Sequence, residues 1–297
     1  MQHHISIIVP ALGGQTQLEE TLLAVLENRP AGSEVLVPCS MDYRDPYALD
    51  DEVRFVRSAA EDWMSLANAA VAASRADIVH WMWPGATVVE DWTESALDAL
   101  HYDLELAAVS PLVDTPAGKV AGVVLGPGAT RVEPDCRHCR LTGSDRIQLA
   151  GPSYLAGFYR RSALCEVGGW DPSMGAQYAD LDLGLQLQLA GFRAHLQISC
   201  NVEFAQQPDT TIPSGYARGL MAERFYRRHG TLERRSRIGT LLGDWRGTSP
   251  TQAVASWAGR AAGMWSSRRR ARFLERVVVS DIVDRPDSDA WQERRAA

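Results

Sequence analysis

Two carboxylates stand two residues apart in "YADLDLGLQ", Asp180 and Asp182, each beside leucine. A carboxylate among apolar neighbours holds a proton more readily than one in water, which suits general-base work on a hydroxyl. On a helix the two acids would sit about 200° apart, so they would serve different surfaces. One could face a cleft while the other caps the helix, and capping is the ordinary use of acids at a helix start. A second chemical cluster is "CRHC", in which Cys136 and Cys139 flank His138. It supplies half of a zinc site, but the other candidate ligands, His3, His4, Cys165 and His195, are scattered, so no metal is expected there. The arginines around that loop, Arg131, Arg137, Arg140 and Arg146, could neutralise a bound anion without an ion.

The elements that must position these groups follow from apolar periodicity. "ISIIVP", "SEVLVPCS", "EVRFVRS" and "ADIVHWMW" read as strands, with helices over "QTQLEETLLAVLEN" and "DWMSLANAAVAASR" between them. Leu18, Leu22, Val25 and Leu26 share one face of the first helix. Strand and helix in this rhythm predict an α/β fold with a mostly parallel central sheet flanked by helices. Ligands of such sheets sit beyond the carboxyl ends of the strands: here Pro10–Leu12, Pro38–Asp42 and Trp83-Pro84-Gly85. A further helix follows at "EDWTESALDALHY", then two short strands joined at Pro116–Gly118. "YLAGFYRRSALCEVGGW" gives a strand and helix, and "ADLDLGLQLQLAGF" a short helix with Leu181, Leu185 and Leu189 on one side. "RAHLQISCNVEF" is a last strand, and the chain beyond about 214 reads as amphipathic helix.

The 297 residues suffice for one large or two ordinary domains. The net charge of -7 hides a division: residues 1–213 carry 13 basic and 28 acidic side chains, whereas 214–276 carry 14 arginines against four acids. Lys119 is the only lysine. An acidic body without basic residues along a recognised groove excludes nucleic acid as the expected partner. The five cysteines form no disulfide framework, and neither a leader nor an apolar run long enough to cross a bilayer is visible. The expected place is the cytoplasm, with the inner face of the membrane as the alternative.

The stretches "ISIIVPALGG", "LANAAVAASRADIVHWMWPGATVVEDW" and above all "LAGFYRRSALCEVGGWDPSMGAQYADLDLGLQLQLAGFRAHL" resemble the family 2 nucleotide-sugar glycosyltransferases, which have the GT-A fold. The resemblance spans roughly residues 4–205 and implies a GT-A domain over 1–213, with 214–297 as an Arg-rich, mainly helical C-terminal extension. It implies inverting transfer of a sugar from a nucleoside diphosphate to an acceptor hydroxyl. Family members usually hold a divalent ion with Asp-x-Asp at the end of the fourth strand, a hard oxygen site. This chain has Trp83, Pro84 and Gly85 there. Glu90 and Asp91 come later and read as caps, so no metal and no cofactor is expected.

By the same resemblance, Asp180 takes the base position, preceded by Ala179 where the family has glutamate, and Asp182 the later acid. Asp42, Asn68, Trp83, Gly85 and Asp182 are the donor-binding candidates. Asp42 could instead be a turn residue, Asn68 could pack under the fourth strand, and Trp83 could pack rather than stack on a base or sugar. Trp170 and Asp171 are the acceptor candidates; alternatively Trp170 closes the core and Asp171 opens a turn. Two readings stand: a metal-free transferase acting on a nucleoside-diphosphate sugar and a carbohydrate acceptor, or a catalytically inactive relative that binds a sugar, nucleotide or partner protein. The basic extension could cover the acidic body, meet an anionic membrane or form a homo-oligomer contact.

Overall fold

The structure is a computed structural model that describes residues 4–46, 49, 51–126, 130–134, 149–208, 214–229 and 249–266. Strands β1 (Ser6–Ile8), β2 (Glu34–Ser40), β3 (Arg54–Ser58) and β4 (Ile78–Met82) lie parallel in the order β3-β2-β1-β4. Helix α1 (Gln15–Asn28) is the crossover between the parallel neighbours β1 and β2, and α2 (Trp63–Ala73) carries the chain from β3 past both of them to β4. They cover opposite faces. Val35 and Val37 pack with Leu18, Leu22 and Val25 of α1, while Leu36 between them packs with Met64, Ala67 and Val71 of α2. Strands buried on both faces read as unbroken apolar runs, which is why β2 shows no alternation in sequence.

The sheet continues through β10 (Ala156–Arg160), β6 (Leu106–Thr115), β11 (Arg193–Phe204) and β5 (Ala86–Thr87), with β7 (Gly118–Val120) folded back on β6. Strands β10, β5 and β7 run against the rest. Strand β6 extends over 10 residues where the sequence suggested a short one, because β11, itself 12 residues, pairs along it. Helix α3 (Glu94–Tyr102) precedes β6, and α4 (Arg161–Val167) follows β10. A hairpin of β8 (Val124–Gly126) and β9 (Thr130–Val132) stands off the main sheet.

Helix α5 (Ala179–Leu189) departs from the one-sided stripe expected of it. Ala179, Leu183 and Leu187 pack toward the sheet, Leu181 and Leu185 pack in a separate cluster with Phe225, and Leu189 is exposed. The reason is a second layer: α6 (Gly215–His229) lies on α5 and on the 3-10 turn Pro172–Met174, so α5 is apolar nearly all round. Helix α7 (Pro250–Ser266) pairs with α6. Part of the basic extension therefore does cover the body, through α6.

Candidate functional site

The parallel register of β1 to β4 brings Pro10–Leu12, the turn Ser40–Tyr43 and Trp83–Gly85 to one edge of the sheet. At the end of β4 the Trp83 N–H donates to the Leu155 carbonyl (2.8 Å), extending the pairing with the strand beside it. The half-buried Trp83 indole meets the half-buried ring of Tyr154 edge-on, 5.7 Å between centroids and 86° between planes. Pro84 and Gly85 then turn the chain onto α1. Gly85 has φ of 92°, and its N–H donates to the Gln17 carbonyl (3.0 Å) and Thr21 Oγ1 (2.8 Å). The residues present do not fit a divalent ion: an indole, a pyrrolidine and a glycine offer no side-chain oxygen. Glu90 and Asp91 are exposed in the turn before α3, and among the described residues no three His, Cys, Asp or Glu side chains group as a metal site. Asp42 is exposed within the Ser40–Tyr43 turn, whose backbone is held by Arg57 through the Met41 and Tyr43 carbonyls (3.0 and 2.8 Å).

Asp180 lies against the backbone of Tyr154 and is closed off. The Arg131 Nε donates to both of its oxygens (2.9 and 3.0 Å) and Nη2 to Oδ2 (2.7 Å). The Tyr154 N–H (3.0 Å) and the Leu181 N–H (2.7 Å) also donate to it. Its side chain has 0% exposure, and that of Arg131 has 13%. Burial works against the Arg131 charge, but the carboxylates of Asp180 and Glu133 outweigh it and hold the guanidinium protonated beyond its ordinary range. The guanidinium also lies over the Tyr154 ring, 5.2 Å from its centroid. Burial, and then the charge of Asp180, push the Tyr159 phenol above its usual range, so it stays neutral.

Asp182 points the other way, as the helical offset requires. Arg228 Nη1 reaches its oxygens (3.2 and 3.1 Å) and His229 Nε2 lies 2.7 Å from Oδ1. Arg228 Nη2 also pairs with Asp171 (2.7 Å), which accepts the Ser173 N–H (2.9 Å) as cap of the 3-10 turn. Both carboxylates are buried, so this is an enclosed set of charges joining α5, the turn before it and α6. Asn68 clamps the backbone of Trp170, donating to its carbonyl (2.8 Å) and accepting its N–H (3.0 Å). Trp170 is 1% exposed, packed against Trp63, Trp81 and Tyr159. As placed, Trp170, Asp171, Asn68, Asp180 and Asp182 form interior contacts; Trp83, Gly85 and Asp42 stand at the carboxyl edge of the parallel strands.

The sequence reading missed Tyr154, Arg228 and His229. The signal for the last two was present: a "RRH" run ends an amphipathic helix that must bury one side, so one cation of the run needs an anion inside. Tyr154 carried no such signal. Arg131 was named among the loop arginines and does reach the site. Cys136, His138, Cys139, Arg137, Arg140 and Arg146 lie outside the described residues.

No family model and no curated protein matches the sequence. Solved structures do. GalNAc-T7, determined with UDP, GalNAc and Mn2+, is similar at TM-score 0.61 and 11% identity over 94% of this chain, which spans only 57% of that one. The mannosyltransferase PcManGT of Pyrobaculum calidifontis, in complex with GDP-Man and Mn2+, is similar at TM-score 0.55 and 17% identity, covering 100% of this chain and 85% of that one. At such identities the likeness is one of architecture: the chain has the GT-A glycosyltransferase fold, a central mixed sheet flanked by helices.

Proposed function

We propose that this glycosyltransferase-like chain is a catalytically silent binding protein, which holds a sugar or nucleotide at the Trp83–Tyr154 edge without transferring it. The observation that carries the reading is the Asp180 carboxylate. Both of its oxygens already accept hydrogen bonds from a half-buried arginine and from backbone N–H groups, and none of its surface is open to an acceptor hydroxyl. A base has to lie within hydrogen-bond reach of the proton it takes. Half-buried aromatic rings supply a stacking surface for a nucleobase or for the apolar face of a sugar.

A second reading has its own support: Arg131 is a cation lying over the Tyr154 ring, which meets Trp83 just beyond the fourth strand, and a departing diphosphate would need such a charge. If the Arg131–Asp180 pair opened, it would release a base and a counter-charge together. Asp180 would take the acceptor hydroxyl proton while the new C–O bond formed with inversion and the bond to the diphosphate broke, its charge met by Arg131. Titration of the purified chain with a panel of nucleoside diphosphates and their sugars, with Mn2+ and with EDTA, separates the two. The proposal expects binding that is insensitive to metal, no product in the presence of carbohydrate acceptors, and unchanged binding in Asp180→Asn. Turnover that disappears in Asp180→Asn while binding persists would establish the second reading instead.

A further inference from the structure

Helix α7 is apolar on two opposite sides. Its inner side, with Ala253, Ser256, Gly259 and Gly263, lies on α6 so closely that a Cβ at Gly259 or Gly263 would run into the α6 backbone. At about 100° per residue, the opposite side carries Val254, Trp257, Ala258, Ala261, Met264 and Trp265. All six are exposed, Trp265 at 92% and Val254 at 58%. A helix on the surface of a globular body ordinarily turns charge outward. The one charged residue of α7, Arg260, is instead half-buried at the margin of the inner side.

Charge selects what can cover this face. No acidic residue occurs between Asp244 and Glu275, whereas Arg246, Arg260, Arg268, Arg269, Arg270 and Arg272 all fall in that interval. A second copy meeting α7 face to face would bring two acid-free, arginine-bearing segments together with no counter-charge. An anionic lipid surface supplies both the charge and a place for apolar side chains, and indoles settle at its headgroup level. No described helix is long and apolar enough to cross a membrane, which leaves α7 to lie along one. We propose that the outer side of α7 docks on an anionic phospholipid surface, with the helix flat, Trp265 at the headgroups, and the arginine charge of this acid-free stretch of sequence drawn to the lipid phosphates.

Flotation of the purified full chain with vesicles tests this, using phosphatidylcholine alone and phosphatidylcholine with about a third phosphatidylglycerol. The expected result is binding to the anionic vesicles at least about tenfold stronger than to neutral ones, weakening as salt is added. Val254→Glu with Trp265→Glu should reduce that binding about tenfold or more, with an unchanged thermal melt showing the fold intact. Arg268→Gln, Arg269→Gln and Arg270→Gln together should remove the preference for anionic vesicles. Equal binding to both vesicle types, or none to either, overturns the proposal. So does a dimer, seen by sedimentation, that Val254→Glu with Trp265→Glu disperses while vesicles recruit nothing.

Discussion

Replacing Arg131 with methionine isolates the contact on which the functional reading turns. The substitution keeps an unbranched apolar stem of similar reach and removes the guanidinium. Asp180 would then keep only the Tyr154 and Leu181 N–H groups, with 0% of its side chain in water. Two unit charges about 4 Å apart interact by about 4 kcal/mol at an effective dielectric near 20. That agrees with the roughly 3–5 kcal/mol lost when one partner of a buried pair is removed. Urea denaturation of Arg131→Met should therefore show a loss of about 3–5 kcal/mol. Arg131→Met with Asp180→Asn should recover about 2 kcal/mol or more of it, since the uncompensated charge is gone. Glu133→Gln is the control: Glu133 is the more exposed partner of the same guanidinium, and its loss should stay within about 1 kcal/mol. If Arg131→Met lies within about 1 kcal/mol of the parent and shows no coupling to Asp180, the pair is open in solution and Asp180 is free to act as a base.

Other outcomes follow from neighbouring contacts. Arg228→Leu strands two buried carboxylates and should cost about 3–5 kcal/mol, against about 0.5 kcal/mol for Arg227→Leu, whose pair with Glu223 lies within one helix; denaturant titration of the two variants checks the contrast. His80 is buried, stacked on Phe158, and burial pushes its pKa down to about 3. Below its ordinary value near 6.5 the unfolded chain takes up a proton that the folded one refuses. Stability should thus fall as pH drops from about 6.5 toward 3, by up to about 1.4 kcal/mol per pH unit, and His80→Gln should flatten that slope. Gly184→Ala pits about 1 kcal/mol of helix propensity against a Cβ placed 2.6 Å from the Ala150 carbonyl carbon and 3.1 Å from the Gly151 nitrogen. Backbone on one side cannot move aside as a side chain would, so net destabilisation of about 1–3 kcal/mol is expected in a thermal or urea melt.

The parallel half of the sheet was legible because its signal is local: a strand buried on both faces is an apolar run, and a helix that covers it carries a stripe. The site was legible only as a set of residue types. Asp180 and Arg131 are 49 positions apart, and nothing in either stretch says that they meet. The same distance problem kept two readings of Asn68 open; its amide is complementary to the Trp170 backbone 102 positions away. Helix α5 misled for a different reason. Periodicity reports how many sides of a helix are covered by one layer, and α5 is covered by two. The arginines of the 131–146 loop were read as a counter-charge for a ligand. Of these, Arg131 meets anions that belong to the protein, Asp180 and Glu133.

That exchange of partners accounts for both acids of α5 without any proton transfer. Two residues of helix turn Asp180 and Asp182 to opposite sides, and each side is closed by a guanidinium from a different segment. Asp180 ties the β8–β9 hairpin and the Tyr154 backbone to the start of the helix, whereas Asp182 and Asp171 share Arg228 and so tie α6 to the body. Replacing a buried pair outright by apolar residues is often nearly neutral, but removing one member costs several kcal/mol. Each acid is thus held in place by its cation, and each cation by its acids. A carboxylate at a helix start consequently says little about chemistry until its cations are located. Here Asp180 meets a half-buried arginine, Asp182 meets Arg228, and the end of β4 offers an indole, a proline and a glycine, so both acids of α5 are spent on contacts inside the protein.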